Sequence, residues 1–455
     1  VVEAGSPARR PWDALLRRPA AAVVAGFAVA VAIGTLLLAL PVAAESGSWT
    51  GFVPAVFTAV SAVCVTGLVV VDTATHWSAF GEVVILLLIQ VGGIGIMTLA
   101  TLLGLLIARR VGLRMQLTAQ AETKSLGLGD VRQVVGGVLA ISLVVEVLVA
   151  VPLVVRFAVH YDEPLGRALY LGGFHAVSAF NNAGFALFTD NLIPFATDPW
   201  ICFPIAVATI VGGIGFPVLF ALGRRLRGQG HRWSLHVRVT VVTYAVLLAV
   251  GIVAFLGFEW ANPGTIGDRD VAGKLVIGIF HGVMPRTAGF NSIDPGRLSP
   301  ATLLVTDVLM FIGGGSAGTA GGIKVTTFAL LAFVMLAEVR GEPTVHVAGR
   351  RLPATVQRQA LTVALAGVGV VMVSTVALLA ITPIRLDAVL FEVVSAFGTV
   401  GLSTGITDDL PPAGQLILVG LMFLGRLGPI TLASALALRE HGRRYELPEE
   451  RTIVG

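Results

Sequence analysis

Four short stretches of this chain repeat one chemistry. They are Cys64-Val65-Thr66-Gly67, Asn181-Asn182-Ala183-Gly184, Arg286-Thr287-Ala288-Gly289 and Gly398-Thr399-Val400-Gly401. In each, a glycine follows an apolar run and precedes a polar return, and the glycines stand 117, 105 and 112 residues apart. Glycine reaches backbone dihedrals that a side chain forbids, so its carbonyl can turn toward an axis shared with other loops. A dehydrated cation needs oxygen ligands, and a ring of backbone carbonyls supplies them without net charge. One such glycine after a helix is an ordinary helix cap. Four at near-equal spacing, each between two long apolar runs, point instead to coordination of one cation. The side chains before the glycine differ in every copy, so the carbonyls are the expected ligands.

A second constellation lies below these loops. Gly313, Gly314, Gly315, Ser316, Ala317, Gly318, Thr319, Ala320, Gly321 and Gly322 interrupt an apolar span. Each glycine costs a helix about 1 kcal/mol relative to alanine, so this run is expected to leave the helix. Non-helical backbone at membrane depth survives only where it is buried in protein or lines a watery cavity. The run begins 24 residues after Gly289, and Arg426 stands 25 residues after Gly401, inside another span. An arginine there costs at least ~2.5 kcal/mol on insertion scales, so it must face water or acceptors. One reading pairs Arg426 with Glu146, Asp307 or Glu392. The other makes it a cation beneath the loops, held by carbonyls of the run or by the Ser316 and Thr319 hydroxyls, so that run and arginine form a gate. Lys324 is expected only to snorkel.

The glycine run matches a dinucleotide-binding pattern, but it follows a span and not a strand of a βαβ unit. Ile323, between Gly322 and Lys324, removes the P-loop reading. Glycines echo in the other second spans, as Val91-Gly92-Gly93-Ile94-Gly95, Val211-Gly212-Gly213-Ile214-Gly215 and Leu424-Gly425-Arg426-Leu427-Gly428-Pro429. Close helix packing through small residues is expected there.

The elements that must position these residues follow from hydropathy. Of 455 residues, 55% are hydrophobic and 13% charged, where a soluble domain carries about 25% charged. Long apolar runs at 20–42, 80–107, 134–155, 201–222, 237–258, 303–336, 361–381 and 416–438 are each long enough to span. Between the members of each pair lie the shorter segments 51–63, 165–180, 271–284 and 386–397, too short to cross and fit for half-helices that dip into the bilayer. The expected fold is an all-α membrane protein with eight transmembrane helices and four re-entrant pore half-helices, in fourfold pseudo-symmetric helix–pore–helix repeats around one pore. The expected units are a cytoplasmic N-terminus 1–19, repeats at 20–107, 108–222, 223–338 and 339–438, a gating loop at 313–322 and a cytoplasmic tail 439–455. Most of the 31 basic residues fall at the N-terminus, after each repeat and in the tail, and seven, among them Arg286, fall on the other side. The positive-inside rule then puts both termini in the cytoplasm, in a cell membrane. The first apolar run has no convincing cleavage site for a signal peptide.

The loops also carry a resemblance. Phe391 to Gly405, FEVVSAFGTVGLSTG, is a variant of the TVGYG potassium-filter signature, and with Arg286 to Asp294, RTAGFNSID, it is similar to the loops of the Ktr/Trk/HKT superfamily of potassium transporters. The resemblance covers nearly the whole chain and is nearest the Ktr membrane subunit, since only one apolar run precedes the first loop. It implies a channel-like potassium-uptake transporter whose filter carbonyls bind K+ and whose glycine-rich loop and Arg426 gate the pore. Glycine at position 67, where a serine in this superfamily goes with sodium transport, implies potassium. The resemblance further implies a homodimer docked on cytosolic nucleotide-binding regulatory subunits.

Other classes find little support. Cys64 and Cys202 cannot form a disulfide framework, and no His/Cys metal cluster is visible. His175 and His281 read as packed side chains. Ser61, Ser178 and Ser395 lack a His/Asp partner for nucleophilic chemistry, so no enzyme is expected and no cofactor beyond the transported ion. Aromatic residues do not interleave with the basic loops as a nucleic-acid surface requires. The remaining alternative is an alternating-access carrier coupled to sodium or potassium; Glu82, Glu146, Asp307 and Glu392 read either as groups for proton or sodium coupling or as satisfied buried carboxylates.

Overall fold

The computed structural model describes residues 19–110, 131–228 and 233–438. Four helical units follow one another. The first holds α1 (Pro19–Ala39), α2 (Phe52–Val63) and α3 (Ala79–Arg110). The second holds α4 (Val131–His160), α5 (Leu165–Phe180), α6 (Pro199–Ile214) and α7 (Phe216–Leu226). The third holds α8 (Leu235–Glu259), α9 (Val271–Val283), α10 (Pro300–Phe311) and α11 (Val325–Val339). The fourth holds α12 (Ala354–Ile381), α13 (Leu386–Gly398) and α14 (Pro412–Leu438).

By length and composition, four described stretches can cross a membrane: Ala79–Thr98, Val135–His160, Leu235–Glu259 and Ala354–Ile381. Helices α6 and α7, bent by 103°, make a fifth if taken as one span. Large apolar side chains face outward on these helices, such as Val253 at 70% and Val373 at 71% exposure, as a hydrocarbon surrounding requires.

Helices α2, α5, α9 and α13 have 12, 16, 13 and 13 residues, below the ~20 that span a bilayer. They are the interior of the molecule. In α13 every residue from Phe391 to Gly398 is buried. Each short helix packs within its own unit and also on the second span of the unit before it: α5 on α3, α9 on α6, α13 on α10, and α2 on α14. That last contact closes the four units into a ring.

Helix starts on the loop side are fixed by side-chain caps. Asp198 accepts from Trp200 N, Asp270 from Gly273 N, and Ser299 from Thr302 N. Pro199 and Pro300 follow two of these caps, where a missing N–H costs nothing. Asp198 also takes the Arg156 Nε at 2.7 Å and the Tyr161 hydroxyl at 3.0 Å. Burial, with that hydrogen bond, pushes the Tyr161 phenol up to about 12, so it remains a donor. Glu259 plays the same part in the third unit, accepting from Asn262 at 2.6 Å, Thr265 at 2.7 Å, Ser299 N at 2.9 Å and Thr302 at 2.5 Å.

Two departures from the expected elements stand out. The second-unit span at 201–222 is not one helix, because it breaks at Gly215, whose φ is +97°. Pro217 is the cause: it has no N–H for the Gly213 carbonyl, and its ring would strike the preceding turn. Between α11 and α12 a small antiparallel hairpin pairs β1 (His346–Val347) with β2 (Arg350–Arg351). It turns on Ala348 and Gly349, both with positive φ. The N-terminal basic cluster, Arg114, Lys124 and the tail 439–455 lie outside the described residues.

Candidate functional site

The four short helices end at the four glycine loops, and the loops share one backbone conformation. Gly67, Gly184, Gly289 and Gly401 have φ of +93°, +70°, +71° and +96°. Two residues before each, Val65, Asn182, Thr287 and Thr399 have φ of +56°, +59°, +68° and +49°. Positive φ is rare for any side chain and a true outlier for the β-branched Val and Thr. Strain of this kind, repeated four times, marks a functional constraint.

The glycines meet one another around a closed ring. A Cβ built on Gly67 would fall on the Ala183 carbonyl oxygen, and one on Gly184 would lie 2.8 Å from that of Ala288. On Gly289 it would lie 2.5 Å from the Val400 oxygen, and on Gly401 it would fall on that of Thr66. The order runs through all four units and returns to the first. No side chain larger than hydrogen fits at any of the four positions.

The loop N–H groups are turned back onto the short helices. Thr66 N donates to Ser61 O at 2.7 Å, Ala183 N to Ser178 O at 2.8 Å, Val400 N to Ser395 O at 2.8 Å, and Ala288 N to Met284 O at 3.0 Å. The carbonyls of Thr66, Ala183, Ala288 and Val400 receive no hydrogen bond from the described residues. Each of these four carbonyls abuts the glycine of the neighbouring loop and lacks an N–H partner among the described residues, which leaves it free to ligate a cation. The C-terminal ends of the four helix dipoles favour positive charge at the same place.

The serines that looked inert have a task. Ser61 Oγ donates to Leu68 O at 2.7 Å and accepts from Gly67 N at 3.0 Å. Ser178 Oγ donates to Phe185 O at 2.8 Å, and Ser395 Oγ accepts from Gly401 N at 3.1 Å. Each clamps the backbone at or just past the ring. The third unit has Val283 at this position and is held by Arg286 instead. Arg286 is fully buried; its Nη1 and Nη2 donate to Ile312 O at 2.8 Å and Leu309 O at 2.7 Å, the carbonyls at the broken end of α10. Arg286 therefore belongs to no exposed loop and drops out of the outward-facing basic residues. A serine six residues before three of the four glycines was the signal available in the sequence.

Above the ring lies a cavity of about 450 Å³ whose floor includes Gly67, Gly184 and Gly401. Its wall carries one carboxylate from each unit, Asp72, Asp190, Asp294 and Asp408. These acids went unread because their distances from the glycines differ. Glu392 sits beside this mouth, accepting from Ser403 at 2.8 Å and Thr407 at 2.5 Å.

Below the ring, the glycine-rich run leaves the helix as expected, and α10 and α11 flank it. Its backbone is latched onto the broken second-unit span. Gly315 N donates to Gly213 O at 2.8 Å, Thr319 N to Gly212 O at 3.1 Å, and Phe216 N to Ala317 O at 3.3 Å. The run thus takes up the carbonyls that the break at Gly215 leaves open. Arg426, 1% exposed, donates through Nη1 to the Thr319 carbonyl. The Thr319 hydroxyl donates to Asn182 Oδ1 at 2.8 Å, and Asn182 Nδ2 reaches Arg286 O at 3.2 Å. One residue of the run thereby joins the arginine to two of the glycine loops.

The ion-pair reading of Arg426 is not the arrangement found. Glu146 is engaged by Gln90 and Asn181, Glu392 by Ser403 and Thr407, and Asp307 Oδ1 is buried without a partner. Nor does a hydroxyl hold the guanidinium, since Ser316 Oγ pairs with Thr326 Oγ1 at 3.0 Å. Lys324 does not snorkel; its Nζ turns back to the Ala320 carbonyl, with Gly321 O at 3.5 Å.

The glycine echoes are packing sites of one kind. Gly92, Gly212 and Gly425 press on the last carbonyls of α2, α5 and on Phe397 O of α13. His175 and His281 are packed as expected, His175 stacked on Phe188 at 5.1 Å and His281 against Phe255 at 4.4 Å.

Residues 16–443 match the family model described as TrkH, cation transport protein. Among curated proteins, the chain is 38% identical over 439 residues to the Ktr system potassium uptake protein B of Bacillus subtilis, covering 96% of this chain and 97% of that one. It is 34% identical over 443 residues to the potassium/sodium uptake protein NtpJ of Enterococcus hirae, covering 96% and 97%. Among solved structures, the potassium transporter TrkH of Vibrio parahaemolyticus superposes with a TM-score of 0.67 at 19% identity, over 94% of this chain and 85% of that one. That likeness shows a common fold.

Proposed function

From the premise that this chain belongs to the TrkH family of cation transport proteins, we propose that it is a channel-like potassium-uptake transporter of a cell membrane. The observation that carries this reading is the closed ring of four strained glycine loops with unengaged carbonyls. K+ sheds water at the mouth, where the carboxylates of Asp72, Asp190 and Asp408, with Asp294 paired to Arg297 at 3.4 Å, raise its local concentration. It then passes carbonyls of Thr66, Ala183, Ala288, Val400 and their neighbours, which replace the hydration shell. Below, Arg426 and the run from Gly313 to Gly322 hold the path closed, the guanidinium opposing a cation until the run swings aside. The topology that goes with this has eight crossings, the split second-unit and third-unit spans each counted once, and both termini cytoplasmic. The assembly that goes with it is a homodimer with one pore per protomer and a cytosolic nucleotide-binding subunit below.

The competing reading is a carrier that moves sodium with potassium. The relative named for both ions is the reason to test it. The cyclic order of the four units favours the pore, since a midplane carrier is built from inverted repeats. The deciding experiment is uptake in cells lacking their own potassium systems, with K+ and Na+ varied independently. Growth at low external K+ with flux above carrier rates is expected. A well-expressed chain that fails to rescue, or K+ uptake locked stoichiometrically to Na+, rejects the pore.

A further inference from the structure

One buried carboxylate near the ring has no part in the account so far. Glu146 lies midway along α4 and is 5% exposed. Gln90 of α3 donates through Nε2 to its Oε1 at 2.9 Å and its Oε2 at 3.2 Å. Asn181 Nδ2 reaches Oε1 at 3.4 Å. The same Nδ2 donates to Gln90 Oε1 at 2.7 Å and to Val177 O at 2.9 Å. Asn181 is fully buried, caps α5 and opens the second glycine loop.

The donors around Glu146 read its charge. Everything that meets its two oxygens is an amide N–H, which satisfies a carboxylate. The nearest acceptor, Gln90 Oε1, already receives Asn181, and Asn181 Oδ1 is turned away against Gly93, so the donors present match the carboxylate rather than the acid. As a carboxylate, Glu146 carries a negative charge with no ion-pair partner among the described residues, with Asn181 between it and the loop that presents the Ala183 carbonyl. A carboxylate at membrane depth is costly, and a third amide would tie α3, α4 and α5 together equally well. The charge itself therefore needs a reason, and the cation site supplies it. Glu392 differs, being bonded to hydroxyls at the mouth rather than to a ring residue.

We infer that Glu146 is a positioning residue for the proposed filter: through Asn181 it orients the second loop, and its charge raises cation occupancy of the carbonyls there. This rests on the pore reading. At an intermediate dielectric, one charge near filter depth changes cation affinity about tenfold.

The test is K+ uptake by the full chain in proteoliposomes, reading the half-saturating K+ concentration apart from the maximal rate. Glu146→Gln removes the charge and keeps an amide-sized side chain; it is expected to raise half-saturation about tenfold, more than it lowers the maximal rate. Gln90→Glu combined with Glu146→Gln returns the charge one side chain away and is expected to bring half-saturation back toward wild type. If Glu146→Gln is not recovered folded, Gln90→Lys neutralises Glu146 in place and is expected to give the same rise. Unchanged half-saturation in the neutral variants, or a swap that restores nothing, overturns the role of charge. Absence of K+ uptake by the wild-type chain in this assay overturns the pore reading itself, a different result.

Discussion

At the scale of single residues, the ring is intolerant. A Cβ on Gly67 has both the wrong φ and the Ala183 carbonyl in its way. Gly67→Ser is therefore expected to tilt that carbonyl and lower the K+ to Na+ uptake ratio at least several-fold. Paired tracer fluxes measure this, and an unchanged ratio would reduce Gly67 to a helix cap. Ser395→Ala removes the clamp on Gly401 N. Loss of a buried partner costs about 1–3 kcal/mol locally, so weaker selectivity with little loss of folded protein is expected. Wild-type selectivity in purified Ser395→Ala would show that the clamp is dispensable. The glycines were legible because four copies shared a spacing. The strained positions before them were not, because Val65, Thr287 and Thr399 are residues that local preference assigns to strands. Their conformation is imposed by the N–H groups tied back to the short helices, a tertiary constraint. Arg286 misled for a related reason: a basic residue between spans looks like a loop residue until the carbonyls it caps are seen.

At the scale of elements, the second-unit and third-unit spans act together. The same five-residue motif, Val-Gly-Gly-Ile-Gly, stays helical in α3 and breaks after α6. The difference is Pro217, which was present in the sequence but was overshadowed by the likeness of the two motifs. The freed carbonyls of Gly212 and Gly213 then anchor the glycine-rich run. Gly215→Ala would place a methyl on the Ser316 carbonyl at a φ of +97°. It is expected to loosen the latch, giving K+ flux higher than wild type and less dependent on regulation. Arg426→Ala, which removes the guanidinium from Thr319 O, is expected to do the same. Single-channel or stopped-flow flux on purified protein decides, and folded variants with wild-type flux would dismiss the gate.

At the scale of the whole molecule, the helical membrane character was readable from hydropathy, whereas the cyclic packing of each short helix on the preceding unit was not. No local pattern encodes which helix face meets which neighbour. The acidic mouth belongs to this scale too, since it exists only when all four units are in place. Asp190→Asn is expected to slow uptake at low external K+ and low ionic strength, with the deficit shrinking as salt screens the wall. A deficit independent of salt would assign Asp190 to loop structure alone. The split spans carry a consequence for how the chain is made. Helices α10 and α11 have 12 and 15 residues, and α6 has 16, all short of the ~20 that hold a segment in lipid by itself. None of these helices is long enough to cross by itself. Each is expected to insert only together with its continuation, α6 with α7 and α10 with α11 across the glycine-rich run, so ribosome-stalled chains ending between α10 and α11 are expected to remain protease-sensitive and chains extended past α11 to become protected.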